Sequence, residues 1–485
     1  MHTSVMTSAT LDPAALRDHV ARSWRDSILP AISEFIRIPA KSPAFDADWA
    51  VNGFLDEAVE LAAAWCRERK LEGMTVEIIR LEGLTPTLLV EVPASGMPAD
   101  ADGGTILMYG HLDKQPEVTG WDENKGPWEP VVEDGKLYGR GAADDGYAVF
   151  GSLGALEALQ DQGAPHPRCV CLIETSEESG SPDLAAYVEH LKGRIGTPGL
   201  VVCLDSGAGD YERMWLCTSL RGNVNGDLRV STVSEGIHSG DASGVVPSSF
   251  RVARRLLDRV EDADTGEVIL PALRAEVPGD RLAQADAAAG VLGESVHDKY
   301  PFQPGVRPMG ADAASRVIAR TWRATLSVTG AAGMPPLEHA GNVLRPETAL
   351  KLSFRTAPTT DPDAALAAIK EALESDPPYG AQVSFENADG ATGWNAPPFA
   401  PWLDGAIQES SREFFGKDAV SLGEGGTIPL MGLLGESFPE AQFVITGVLG
   451  PGSNAHGPNE FLHLEMAERL TACVAMIVAR AADQA

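Results

Sequence analysis

The sequence predicts an α/β fold. A main domain with a mixed, largely parallel sheet flanked by helices is interrupted by a smaller α+β unit. Three observations predict this. In the first 220 residues, short apolar runs bounded by turn residues alternate with helical periodicities. Near residue 220 the pattern changes to strands in which polar and apolar residues alternate. After a Pro-rich stretch at 396–401 (APPFAP) the first pattern returns.

Taken in order, residues 14–38 and 49–70 carry apolar positions three and four apart, which predicts amphipathic helices. The runs 86–92 (PTLLVEV), 105–109 (TILMY), 169–174 (CVCLIE) and 200–204 (LVVCL) have the length and flanks of buried strands. Helices are expected between them at 142–162 and 182–192. The alternating strands 222–232, 321–329, 349–356 and 381–387, with helices at 247–260 and 363–375, form the inserted unit. A helix near 402–415, a strand at 442–446 and a helix near 463–481 complete the main domain. The expected division is 1–219 with 399–485 for the main domain, and 220–398 for the insertion. Residues 271–315, rich in Ala, Gly and Asp, show no clear period.

A chain of 485 residues is long for one domain and can bury a large core without staples. The 38 Lys and Arg stand against 69 Asp and Glu, a net charge of −31. That balance argues against nucleic acid or an anionic membrane surface as a partner. No apolar run approaches the ~20 residues a bilayer span requires. The first residues carry neither a basic n-region nor an apolar h-region, so a cytoplasmic location is expected. Cys66, Cys169, Cys171, Cys203, Cys217 and Cys473 include no C-x-x-C pair and read as buried free thiols.

Five islands of acids and histidines fall at or after strand ends, where open α/β sheets bind their ligands. His111 and Asp113 lie two apart in Tyr109–Asp113 and share a face if the strand continues. Asp144 and Asp145 follow the glycines of GRGAADDG, where capping a helix N-terminus is the plain reading and a carboxylate bridging two cations the sharper one. Glu177 and Glu178 form a carboxylate pair in ETSEESGS, suited to one ligand and one general base or to a solvated turn. Asp205 ends a buried run, and His456 lies in a loop before the last helix. Two imidazoles, several carboxylates and no thiolate suit a pair of divalent cations, zinc above all.

Together YGHLDKQP (109–116), GRGAADDG (139–146), ETSEESGS (174–181), LDSG (204–207) and AHGPNE (455–460) resemble one set of metal-site motifs, in family order. They resemble those of the co-catalytic zinc metallopeptidases: carnosinase, cytosolic nonspecific dipeptidase, aminoacylase and acetylornithine deacetylase, with the dipeptidase branch nearest. The resemblance implies a zinc-exopeptidase-like catalytic domain and a lid that also forms a homodimer. It implies that His111 and Glu178 hold one zinc, that Asp205 and His456 hold the other, and that Asp144 bridges them. Manganese or cobalt are alternatives. Asp113 would orient His111, and Glu177 would be the general base. In the lid, His238 of GIHSG resembles the histidine that polarises the scissile carbonyl, often across the dimer. Asn342 resembles a substrate-contacting asparagine, and Arg355 the arginine that grips a substrate carboxylate. Gly425, Gly426 and Thr427, in GEGGTIP (423–429), resemble a glycine-rich substrate loop.

The implied function is metal-dependent hydrolysis of dipeptides or similar small peptides. The alternative with the same metal site is an N-acyl or N-carbamoyl amino-acid amidohydrolase. A non-catalytic scaffold would have no use for Glu177. Three positions depart from the family pattern. Gly423 stands where an arginine is usual, Gly146–Tyr147 where Lys–Gly is common, and Gly457 where a serine or similar small residue is common.

Overall fold

The computed structural model describes residues 11–97, 104–426 and 429–484. The chain divides into two compact units. The first comprises residues up to Cys217 together with Ala396–Ser421 and Leu433–Ala485. The second comprises Thr218–Asn395 and Leu422–Gly432, so the strand end and loop after Ser421 group with the inserted unit.

The first unit is built on a six-stranded sheet. Its spatial order is Thr75–Ile79, Thr87–Val92, Arg168–Glu174, Thr105–His111, Pro198–Cys203 and Gln442–Ile445. The last four run parallel to one another, and the first two pair antiparallel at one edge. Thr105–His111 is buried at every residue. A strand covered on both faces is a continuous apolar run rather than an alternating one, and that is how TILMY reads. Helix Tyr147–Asp161 is buried almost throughout and packs between the sheet and the last helix, Leu464–Ala482. Trp24 ties the first helical segment to that last helix through Nε1–H donated to Thr471 Oγ1 at 3.0 Å.

The expected helix at 14–38 is a single helical path, with α-helix at Pro13–Ser23 and Leu29–Arg37 and a wider π-turn at Trp24–Ile28. Asp12 caps it by accepting from Ala14 N at 2.9 Å. The helix expected at 49–70 breaks at Gly53, whose φ of 74° ends one short turn and starts Phe54–Arg67. All six cysteines are buried thiols outside any disulfide. Burial pushes the Cys66 thiol up to about 12. Among the described residues no helix is long and apolar enough to cross a membrane.

The inserted unit carries a four-stranded antiparallel sheet in the order Thr325–Ala332, Glu347–Thr356, Gly222–Ser231, Gln382–Ala391. Gly222–Ser231 alternates buried and half-buried residues along its whole length, the mark of a sheet with one covered face. Helices Ser249–Leu257 and Pro362–Glu374 supply the cover over Val224, Leu228, Leu352, Phe354 and Phe385. The strand expected at 321–329 begins later, at Thr325. Residues Ala313–Thr321 form a helix instead, started by a reciprocal cap between Asp312 and Ser315. The stretch without a clear period contains helix Gly279–Leu292. A short two-stranded ladder pairs Ile237–His238 with Val343–Leu344.

Candidate metal centre

The C-terminal ends of the parallel strands bring the acids and one histidine together. His111 is the last residue of the central strand and is fully buried. Its ring is fixed from behind: Nδ1 lies 3.1 Å from the Asp113 carbonyl oxygen and 3.4 Å from Asp113 Oδ1. That leaves Nε2 facing Asp144 Oδ1 at 3.3 Å, Asp205 Oδ2 at 3.7 Å and Glu177 Oε2 at 4.0 Å. This Nε2 is buried and has no hydrogen-bond partner among the described residues. An imidazole nitrogen aimed at carboxylates with its other nitrogen held is the arrangement of a metal ligand.

His456 approaches from the other side. Its Nε2 lies 3.0 Å from Asp144 Oδ2 and 3.3 Å from Glu178 Oε2. Two groups result, His111–Asp144–Asp205 and Asp144–Glu178–His456, each with ligand atoms within 4.8 Å of one another. Asp144 belongs to both and offers one oxygen to each. The partners differ from those implied by the resemblance. Asp205 sits with His111, and Glu178 sits with His456. Both neighbours of the His111 strand lead to an acid: Asp205 stands two residues beyond Pro198–Cys203 and faces His111, while Glu178 stands four residues beyond Arg168–Glu174, on a turn that carries it to His456.

Asp113 does more than hold a ring. Its Oδ1 accepts from Glu177 N at 3.1 Å and its Oδ2 from Glu178 N at 2.9 Å. One buried carboxylate thus fixes the turn that carries both glutamates. Gln115 adds a hydrogen bond from Nε2 to Glu178 Oε2 at 2.5 Å. Below the turn, Glu174 accepts from Tyr109 Oη at 2.6 Å, Ser181 Oγ at 2.8 Å and Ser176 Oγ at 2.9 Å. Gly110 makes room for the neighbouring Asp145, since a Cβ there would lie 2.8 Å from Asp145 Oδ2.

The electrostatics fit a cation pair. Burial raises the proton affinities of Glu177 and Glu178 well above the usual carboxylate range, and their acidic neighbours add to it. Burial works against a charged His111, yet Asp113, Asp144 and Asp205 outweigh it and hold that imidazole well above its usual range. Asp144, despite its burial, is pulled below the usual range by His111 and His456. A buried cluster that draws protons onto its imidazoles is short of positive charge, and divalent cations displace such protons on binding. The oxygen-rich donor set with two imidazoles suits zinc, manganese or cobalt.

The chain's similarities agree with this chemistry. The profile of Peptidase family M20/M25/M40 matches residues 107–480. The chain belongs to this peptidase family. Among its M20 relatives is the Cysteinylglycine-S-conjugate dipeptidase of Corynebacterium striatum, 27% identical over 432 residues, 84% of this chain and 88% of the relative. The Beta-Ala-His dipeptidase of Homo sapiens is 24% identical over 389 residues, 78% of this chain and 74% of the relative. The M20 fold is matched by human carnosine dipeptidase 1, with a TM-score of 0.71 at 20% identity over 97% of this chain and 99% of that one. The M20 metallo-carboxypeptidase Sso-CP2 of Sulfolobus solfataricus gives 0.72 at 19%, covering 94% and 100%.

The remaining expected residues lie in the inserted unit. His238 is exposed and pairs with Val343 in the short ladder, and Ser239 N donates to the Asn342 carbonyl at 2.8 Å. His238 and Asn342 are therefore neighbours. Arg355 lies on strand Glu347–Thr356, opposite Asn223. Gly425 and Gly426 follow strand Val420–Glu424, and Thr427 lies outside the described residues. Gly423 is packed so closely that a Cβ would meet Ser219 Oγ at 2.4 Å and Thr321 Cβ at 3.0 Å. Any side chain there would have to displace the Ser219 hydroxyl and press on Thr321. A different cation stands beside the loop: Arg221 Nε donates to the Gly425 carbonyl at 3.4 Å. The pattern around 423 gave no hint of it, because Arg221 follows the apolar run WLCTSL two hundred residues earlier.

Proposed function

We propose that this chain hydrolyses the amide bond of dipeptides and similar small peptides at a two-cation centre. His111 and Asp205 would hold one ion, Glu178 and His456 the other, and Asp144 both. The observation that carries the reading is the pair of ligand groups sharing Asp144. The named dipeptidases among the relatives support the substrate class. When bound, two zinc ions make water acidic near neutral pH and polarise a carbonyl.

The chain's own residues divide the rest of the work. Glu177 takes a proton from water and hands it to the departing amine nitrogen. Asp113 keeps Glu177 in place through its backbone N–H. His238 donates to the substrate carbonyl oxygen as charge grows on it. Arg355 pairs with the terminal carboxylate of the substrate and limits its length. Asn342 and the loop at Gly425, Gly426 and Thr427 line the substrate. A homodimer, with His238 acting across it, completes the reading.

Glu177→Gln keeps the charge-neutral shape of the side chain and removes the base. Both metal ions should remain, by elemental analysis, while turnover falls by about 10²–10⁴-fold. Near-normal turnover in that variant would refute the assignment. A panel of unblocked dipeptides and N-acetyl amino acids on metal-loaded protein separates the dipeptidase from an amidohydrolase. Mixed dimers of His238→Ala and Glu177→Gln should regain part of the activity if His238 acts across subunits.

A further inference from the structure

The inserted unit contains a cavity of about 700 Å³ that neither the metal-centre residues nor His238, Asn342 or Arg355 line. Its charge is the reverse of the chain's. Among the described residues, five arginines line it (Arg221, Arg274, Arg316, Arg320 and Arg323) against one carboxylate, Glu267. The whole chain has 38 basic residues against 69 acidic ones. Glu267 is shared, 3.8 Å from Arg323 and 4.0 Å from Arg274.

Neutral groups hold other guanidiniums in fixed planes. Arg316 donates from Nε to the Met309 carbonyl at 2.9 Å and from Nη2 to the Gly310 carbonyl at 3.1 Å. Arg221 Nη1 donates to Thr325 Oγ1 at 3.2 Å and to the Arg323 carbonyl at 3.3 Å. The carbonyls orient the Arg316 guanidinium without cancelling its charge. Arg320 Nε is buried and has no hydrogen-bond partner among the described residues. Burial lowers the Arg221 proton affinity to about 10, and repulsion from Arg355 and Arg320 works the same way.

The rest of the wall is apolar, with Val268, Val296, Tyr300, Phe302 and Met309. Tyr300 and Phe302 meet edge to face at 6.3 Å and are each partly open to water. A volume in the range of small-molecule sites, lined by apolar side chains and several arginines, selects for more than a bare ion. An inorganic anion would satisfy the arginines and leave the aromatic wall unused.

We propose that this cavity is a binding site for a small organic anion, an apolar and preferably aromatic body bearing one carboxylate or phosphate group. The anion pairs with Arg320 and its neighbours, where guanidinium geometry favours two-point contact, and the body lies against Tyr300, Phe302 and Met309. The inference stands independently of the metal reading.

The test is calorimetric titration of the metal-loaded full chain with phenyl phosphate, phenylacetate, inorganic phosphate and benzyl alcohol. At least one aromatic anion should bind saturably, at least tenfold tighter than inorganic phosphate and benzyl alcohol. The better of the two names the head group. Arg320→Ala should weaken it at least tenfold and Arg323→Glu at least fivefold, while Arg355→Ala changes it less than threefold. The Arg323 side chain is 56% exposed, so its charge reversal tests the site even if Arg320→Ala fails to fold. The proposal is overturned by no saturable binding of either aromatic anion. It is equally overturned by inorganic phosphate binding as tightly, or by loss of binding in Arg355→Ala but not in the two cavity variants.

Discussion

His111 and His456 reach Asp144 from opposite kinds of structure. His111 closes a strand that is buried at every residue, so the sheet itself sets its position. His456 stands on a loop with 55% of its side chain exposed and its φ at 63°. Holding a non-glycine residue in that left-handed region costs about 1–3 kcal/mol. The loop is kept there by a polar clamp. Buried Arg140 donates to buried Glu460, and its Nη2 donates to the Gly457 carbonyl at 2.9 Å. Glu460 Oε1 in turn accepts from Gly141 N at 2.9 Å, which ties the loop to the segment that carries Asp144. One half of the centre inherits its geometry from a hydrophobic sheet, and the other from polar ties, a buried ion pair among them.

The strongest way to break this contrast is Arg140→Ala. It leaves Glu460 buried without its cation, which costs about 3–5 kcal/mol. Denaturant titration should register that fall. Metal titration should show the ion of the His456 group lost before that of the His111 group. Equal weakening of both ions would erase the distinction. Asp113→Ala should act differently, because its carboxylate serves both halves: Oδ1 lies 3.4 Å from His111 Nδ1, and the two oxygens hold the N–H groups of Glu177 and Glu178. Both ions should weaken together, by about 10–100-fold. Unchanged affinity would make the brace idle.

The smallest expected effect belongs to the floor beneath the turn. Burial, more than the nearby Asp113 charge, raises Glu174 to about 7 despite three hydroxyl donors. Its folded-state value lies above the ordinary carboxylate value of 4.5, so the folded chain holds a proton that the unfolded chain releases. This contribution is complete below pH 4.5 and is lost as pH rises through about 7. Glu174→Gln should therefore flatten the decline in stability of the metal-free protein across that window, read from urea midpoints at successive pH values. An identical slope in the variant would mean that Glu174 does not titrate there.

Much of the main sheet was legible because its central strands are short, apolar and bounded by turns, as in CVCLIE and LVVCL. The edge strand Thr75–Ile79 was not, since a charged Glu77 splits five residues that face water on one side. Helix Gly279–Leu292 escaped for another reason: its inner face is made largely of alanines, which give little contrast with the outer one. TWRATLSVT alternates like a strand from its first residue, yet the Asp312–Ser315 cap starts a helix that runs through Thr321. The metal-site motifs were visible as residue types in a spacing. Which ligand faces which was not, because strands leading to both acids flank the His111 strand and the turns beyond them decide where each carboxylate points.

Lys114 follows Asp113 directly and is wholly buried, its Nζ donating to the carbonyls of Phe35 at 2.7 Å and Ile38 at 2.8 Å. These are the last carbonyls of the helical path that begins at Pro13. Detaching that segment would strand an ammonium group in the interior, one position away from the brace of the glutamate turn. Residues 13–38 thus belong to the floor of the metal centre, and Leu29–Arg37 also packs against Ala142–Gly146, the segment that carries Asp144. A circular permutant with new termini between residues 38 and 110 would have to keep this stitch to remain competent.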